Sequence, residues 1–129
     1  MSKSLKRGQE VIKNSRLEAV DNQYPDRDYE VHITLPEFTC LCPISGYPDF
    51  AVIEVRYIPD KLILELKSVK LYINKFRDTE IFHEEAVNRI LDDLVAVCRP
   101  RWMDVKGNFN SSGNVKTVIR AEHKKEIKS

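Results

Sequence analysis

Net charge is nearly absent from this sequence: twenty-one lysines and arginines against twenty acids leave a formal +1 in 129 residues. That removes the broad positive field on which nucleic-acid and anionic-membrane binders rely, so any phosphate contact is expected to be local. No apolar run approaches the ~18–20 residues of a membrane span, and the start Met1-Ser2-Lys3-Ser4-Leu5-Lys6-Arg7 lacks the apolar stretch of a secretory signal. Neither nucleic acid nor membrane is therefore expected as a partner, and the expected compartment is the cytoplasm. Cysteine is scarce and odd in number. Cys40, Cys42 and Cys98, the first two separated by one residue, make a poor disulfide framework, so thiol chemistry or packing is the better use. The same close spacing does not suit a structural zinc site built from Cys40, Cys42 and His83, and no metal is expected. Neither G-x-G-x-x-G nor G-x-x-x-x-G-K-[ST] occurs, which excludes Rossmann and P-loop nucleotide sites at the level of motifs.

What is present is enough for one domain. The apolar fraction of 42% is ordinary for a globular chain, so general disorder is not expected. A domain of this size buries roughly two-thirds of the surface its unfolded chain exposes, leaving little room for an interior ligand cavity. A site shared between subunits follows naturally.

Residues 1–27 are polar, carry scattered charges and show no sustained periodicity, which reads as an arm. From Asp28 the pattern becomes period two: Tyr29, Val31, Ile33 and Leu35 alternate with Glu30, His32 and Thr34, a half-buried strand that Pro36 should end. Residues 37–49 hold Pro43, Gly46 and Pro48 and read as a loop, and Phe50 to Ile58 as a second strand followed by the short run Leu62-Ile63-Leu64. The period then lengthens. Leu66, Val69, Ile73 and Phe76 recur at helical steps, with Lys67, Lys70, Asn74 and Arg77 on another face. Asp78-Thr79 offers N-cap chemistry for a second helix with the apolar face Val87, Ile90, Leu91, Leu94, Val95 and Cys98, ended by Pro100. Alternation returns in residues 102–105 and 115–119, joined by a hairpin-like connection, and residues 123–129 form a charged tail. The order ββααββ predicts an α+β domain over residues 28–122, an antiparallel four-stranded sheet with two helices on one face. Its open strand edges favour a homo-oligomer.

Three constellations could carry chemistry. Cys42 lies in a constrained loop with Asp49 seven residues on; a thiolate there would be a nucleophile, with Asp49 or His83 as the base it needs. The bland alternative is that Cys40 and Cys42 are small apolar fillers. Phe82-His83-Glu84 opens the second helix, with His83 continuing the face of Val87 and Glu84 that of Leu91, so both are expected to face covered surface. A carboxylate there suits two parallel N–H donors on a guanine-type edge, although Glu84 and Glu85 are also ordinary helix-start acids. The stripe Lys67, Lys70 and Arg77 could grip phosphates or be a solvated face.

Taken together, residues 38–50, with Cys42-Pro43-Ile44-Ser45-Gly46 at their centre, then Glu65-Leu66-Lys67-Ser68-Val69-Lys70-Leu71-Tyr72, then Phe82-His83-Glu84-Glu85, closely resemble the 7-cyano-7-deazaguanine reductases of queuosine biosynthesis, a tRNA-modification pathway. The resemblance runs over about residues 28–120. It implies the tunnelling fold, assembled into homo-oligomeric rings with sites between subunits. It also implies an oxidoreductase that reduces the nitrile of 7-cyano-7-deazaguanine to an aminomethyl group with two NADPH, through a covalent thioimidate on Cys42. Asp49 would donate protons, His83 would assist their movement, Glu84 would bind the guanine edge and Phe82 would pack on the ring. Leu64, Glu65 and Leu66 would also lie against substrate, while Lys67, Lys70 and Gly113 fall where cofactor contacts belong. Where such reductases carry Arg-Gly-Gly, this chain reads Ser112-Gly113-Asn114, leaving phosphate contacts to the lysine stripe, Arg120 or an adjoining subunit. The competing readings are an amidinotransferase-like relative that uses the same thioimidate with ammonia, and a guanine-type binding module with an unreactive Cys42.

Overall fold

The alternating segments pair into one sheet in the computed structural model, which describes residues 5–126. In chain order the elements are α1 (Arg7–Asn14), β1 (Ala19–Asp21), β2 (Val31–Leu41), β3 (Pro48–Ile58), β4 (Leu62–Leu64), α2 (Leu66–Asn74), a 3-10 turn (Lys75–Asp78), α3 (His83–Cys98), β5 (Trp102–Phe109) and β6 (Val118–Lys124). β2-β3-β5-β6 form a four-stranded antiparallel sheet, and β1 and β4 a separate two-stranded ribbon. The architecture is the α+β one that the element order predicts, in the tunnelling-fold arrangement that the resemblance implies.

Period-two patterning gives the sheet one apolar face. Ala51, Ile53, Val55 and Tyr57 of β3 and Met103, Val105 and Phe109 of β5 point the same way and are buried. Over them lie Val69, Ile73 and Phe76 from the first helical segment and Val87, Ile90, Leu91 and Leu94 from α3. On the opposite face Asp104 is buried beneath Arg56, 3.4 Å away, and Arg120. A polar cap starts α2, and a backbone turn ends α3. Glu65 caps α2 by accepting the Ser68 N–H at 2.6 Å. α3 ends where Arg99 turns left-handed, at φ 46°, immediately before Pro100.

Several boundaries differ from the sequence reading. β3 begins at Pro48, inside the expected loop; β5, paired on both sides, runs past residue 105 to Phe109; and β6 begins only at Val118, so residues 115–117, read as strand, belong to the connection. Pro36 does not end β2. That strand lies at the edge of the sheet, where a missing N–H costs no ladder bond, and the chain continues to Leu41 through a register shift between Leu35 and Phe38. Asp78 and Thr79 close the 3-10 turn instead of capping α3, whose N-cap is Phe82. Residues counted as arm contain α1 and β1; the rest of that arm, residues 1–4, lies outside the described residues. Residues 123 and 124, counted as tail, complete β6 against Trp102 and Met103, and residues 127–129 lie outside the described residues.

The β2 shift matters because it inserts one residue. Leu35 pairs with Ile53 and Phe38 with Ala51, so three steps on β2 match two on β3. Odd-numbered residues face the helices before the shift and even-numbered ones after it, which carries Phe38 and Cys40 inward and sets Cys42 next in that alternation.

Close packing beneath α3 leaves no room for a side chain at Gly107 of β5. A methyl group there would sit 2.6 Å from Val87 Cγ2 and 2.9 Å from Phe109 Cε2. Gly107→Ala should lower unfolding free energy in urea by about 1–3 kcal/mol with an unchanged m-value, whereas unaltered stability would show that the α3–sheet contact yields freely.

Candidate active site

The loop that bears Cys42 is closed on itself. The Cys42 N–H donates to the Tyr47 carbonyl at 2.9 Å, and the Gly46 N–H donates back to the Cys42 carbonyl at 2.9 Å. Gly46 supplies the left-handed conformation this closure needs, at φ +74°. At its root the loop is tied to the entry of α3. Leu41 N–H donates to the Thr79 carbonyl at 2.9 Å and Ile81 N–H donates to the Leu41 carbonyl at 3.0 Å. This parallel bridge sets Cys42 beside the segment that leads into Phe82 and His83.

Around the sulfur the loop turns its donors inward. The Ser45 N–H, then the Ser45 hydroxyl and the Ile44 N–H, hold the Cys42 thiol below the ordinary thiol range, against the opposing effects of desolvation and the Asp49 charge. The other two thiols go the opposite way. Burial first, then the Asp49 and Cys42 charges, push Cys40 up to about 11, and burial pushes Cys98 up to about 12. Cys40 and Cys98 fill the core, while Cys42 stands half-buried at its edge.

Asp49 lies across the hairpin from Cys40 and shares its inward direction. Its Oδ2 is 3.0 Å from His83 Nε2, and both side chains are about one-fifth exposed, at 20% and 21%. His83 is clamped on its other sides too. Its Nδ1 is 2.7 Å from Thr117 Oγ1, and its ring stacks on Phe109 at 3.8 Å between centroids and 7° between planes. Thr117 and Phe109 are absent from the sequence reading. The sequence reading places Thr117 in the alternation of residues 115–119 and Phe109 in the connection before it, and neither placement reveals a hydroxyl or a ring set against the imidazole.

Phe82 is half-exposed at the helix start. Glu84 is exposed, contrary to the expectation that it faces covered surface. Glu85 is engaged with Arg89 at 3.1 Å, whereas the Glu84 carboxylate has no hydrogen bond or ion pair among the described residues. Cys42, Asp49, Phe82, His83 and Glu84 thus gather at the N-terminal end of α3.

Leu64, Glu65 and Leu66 do not join them. Leu64 is a core side chain whose N–H donates to the Tyr57 hydroxyl at 3.0 Å, Glu65 is occupied with its cap, and Leu66 is exposed. α2 and the 3-10 turn separate this tripeptide from the entry to α3 by roughly 20 Å of helix. Apolar surface is left open at both ends: Ile44 (83%), Tyr47 (76%), Phe50 and Phe82 beside Cys42, and Leu66 at the far end.

Lys67 and Lys70 are exposed one turn apart on α2, and neither has an ion pair among the described residues. Lys70 borders a depression of about 210 Å³ with Pro36, Glu37, Ile73 and Asn74. Two free ammonium groups at this spacing fit a phosphate-bearing cofactor. Gly113, at φ +57°, lies instead in the exposed turn of the β5–β6 connection. Arg120 is not available to a phosphate on the α2 face, because it is committed to Asp104 and Glu122 on the opposite side of the sheet.

The three thiol environments predict selective alkylation. With iodoacetamide near neutral pH, Cys42 should react first, and the midpoint of its rate against pH should fall below that of an ordinary free thiol, about 8.5. Peptide mass spectrometry after timed labelling checks this; faster labelling of Cys40 or Cys98 would contradict it.

The comparisons with known proteins agree on one family. The model described as QueF-like protein matches residues 48–128. Proteins named NADPH-dependent 7-cyano-7-deazaguanine reductase are 54% identical to this chain in Thermosynechococcus vestitus, over 97% of this chain and 95% of theirs. In Microcystis aeruginosa the identity is also 54%, over 95% of this chain and 93% of that one. Among solved structures, the archaeosine synthase QueF-Like in its apo form superposes with a TM-score of 0.68 at 27% identity, covering 72% of this chain and 91% of that one. With more than half its length matched by the family model and near-complete relatives above half identity, the chain belongs to the QueF-like protein family.

Proposed function

We propose that the chain is an NADPH-dependent nitrile reductase that converts 7-cyano-7-deazaguanine to 7-aminomethyl-7-deazaguanine in queuosine biosynthesis. The observation that carries this reading is a loop thiol held below the ordinary range beside a linked carboxyl–imidazole pair, with an unpartnered carboxylate one residue beyond the imidazole.

A nitrile accepts hydride poorly because negative charge must gather on nitrogen. Addition of the Cys42 sulfur to the nitrile carbon, with a proton passing to nitrogen, yields a thioimidate whose C=N accepts hydride more readily. Asp49 delivers protons and His83 resupplies them. Glu84 accepts the ring N–H and exocyclic amine of the guanine edge, and Phe82 covers the ring face. NADPH, when bound, supplies the hydrides. Lys67 and Lys70 would hold its phosphates, and Gly113, in the exposed turn of the β5–β6 connection, would be a further contact for it.

One chain holds half of this site. The tripeptide Leu64–Leu66 and the Cys42 group lie at opposite ends of the helix layer, and each end leaves a different apolar surface open. Joining two different surfaces is a heterologous contact, which closes into a ring when the rotation permits. The tripeptide of one copy then completes the pocket of the next. Three free thiols, one of them poised to react, suit a reducing compartment, and we place the enzyme in the cytoplasm.

Incubation with 7-cyano-7-deazaguanine should add the mass of one substrate to the wild-type chain and none to Cys42→Ala. Added NADPH should then be oxidised only by the wild type. Absence of the adduct would overturn the reading, and an adduct without NADPH oxidation would indicate an amidinotransferase. Glu84→Ala should bind the substrate more weakly by about 1–3 kcal/mol, measured by calorimetry on a Cys42→Ala background, because the guanine N–H groups lose their acceptor. Unchanged affinity would place recognition elsewhere.

A further inference from the structure

We propose that Thr117 is a positioning residue that links solvent to the site's proton supply, passing protons through His83 to Asp49. The inference rests on the reductase reading above.

Proton accounting creates the need. Adding the Cys42 thiol across the nitrile transfers the thiol's own proton to nitrogen, so thioimidate formation consumes none from outside. Each hydride that reaches carbon requires one further proton on nitrogen. The first gives a thiohemiaminal, which releases the thiol and leaves an imine; the second gives the amine. One turnover therefore takes up two hydrides and two protons, while Asp49 can hold one proton at a time. It must be recharged while substrate covers it.

The geometry offers a route. His83 Nε2 faces Asp49 Oδ2 at 3.0 Å, so with Asp49 ionised the ring proton sits on Nε2. The lone pair on Nδ1 then accepts from the Thr117 hydroxyl at 2.7 Å. When Nε2 yields its proton to Asp49, the ring regains one at Nδ1, and the Thr117 oxygen lies on that line. A hydroxyl both donates and accepts, so it serves before and after the transfer. Beyond it, residues 110–116 of the β5–β6 connection are exposed. The ring cannot swing away, because Phe109 stacks on it, and Phe109 N–H donates to the Thr117 carbonyl at 3.0 Å, pinning both ends of the relay together.

Thr117→Val keeps the shape of the side chain and removes the hydroxyl; Thr117→Ser keeps the hydroxyl. With NADPH omitted, thioimidate formation in Thr117→Val should match the wild type within about twofold, since it needs no external proton, whereas kcat for NADPH oxidation should fall at least about tenfold at unchanged KM. Thr117→Ser should restore most of kcat. Equal slowing of both steps in Thr117→Val would make Thr117 merely structural and overturn the proposal, as would unchanged turnover or failure of serine to rescue. If the wild type forms no thioimidate, the reductase reading itself fails and the relay falls with it.

Discussion

Two backbone hydrogen bonds on Leu41, one to Thr79 and one from Ile81, hold the molecule's chemistry together. They fasten the last residue of β2 to the segment entering α3, elements far apart in sequence. On one side of that bridge the next residue is Cys42; on the other the next is Phe82, followed by His83 and Glu84. Without the bridge the thiol loop would hang from an edge strand and the helix start would float above it. Because both partners are main chain, the constraint is indifferent to side chains, which is why composition alone does not reveal it.

Register does the complementary work. The inserted residue near Pro36 exchanges the inward and outward faces of β2 halfway along its length. Asp49, on the paired strand, already faces inward, so the shift brings the Cys42 loop to the same side of the sheet as the carboxylate and the imidazole. The sheet's apolar side serves at once as core and as the floor of the site. Phe109 illustrates the overlap: fully buried, it packs at right angles to Phe38 and lies flat under His83.

Much of this was legible in the chain itself. The two-residue period of Val31-Ile33-Leu35 and the helical steps of Val69-Ile73-Phe76 depend on local geometry alone, so strands, helices and their order could be read directly. Pro36 misled because a proline ends a strand or sits harmlessly at an edge according to which neighbours pair with it, and that is decided by the sheet. α1 eluded the reading because it buries no residue and spans eight, too few for a pattern to emerge. Among candidate site residues, Cys42, Asp49 and His83 announced themselves by chemistry and spacing. Thr117 did not, because a threonine in a short alternating run carries no mark of the imidazole 34 residues earlier in the chain.

The separation of Leu64–Leu66 from Cys42 turns these local constraints into a claim about assembly. On the proposed reading, the chain presents the reactive end of a site at one end of its helices and the complementary end at the other. The most direct test is a crystal structure of the protein after exposure to 7-cyano-7-deazaguanine. The account predicts continuous density from Cys42 Sγ to the nitrile carbon, the guanine edge on Glu84, and the Leu64–Leu66 segment of a neighbouring copy against the ring. A ligand bound away from Cys42, or a pocket closed by one chain alone, would contradict it.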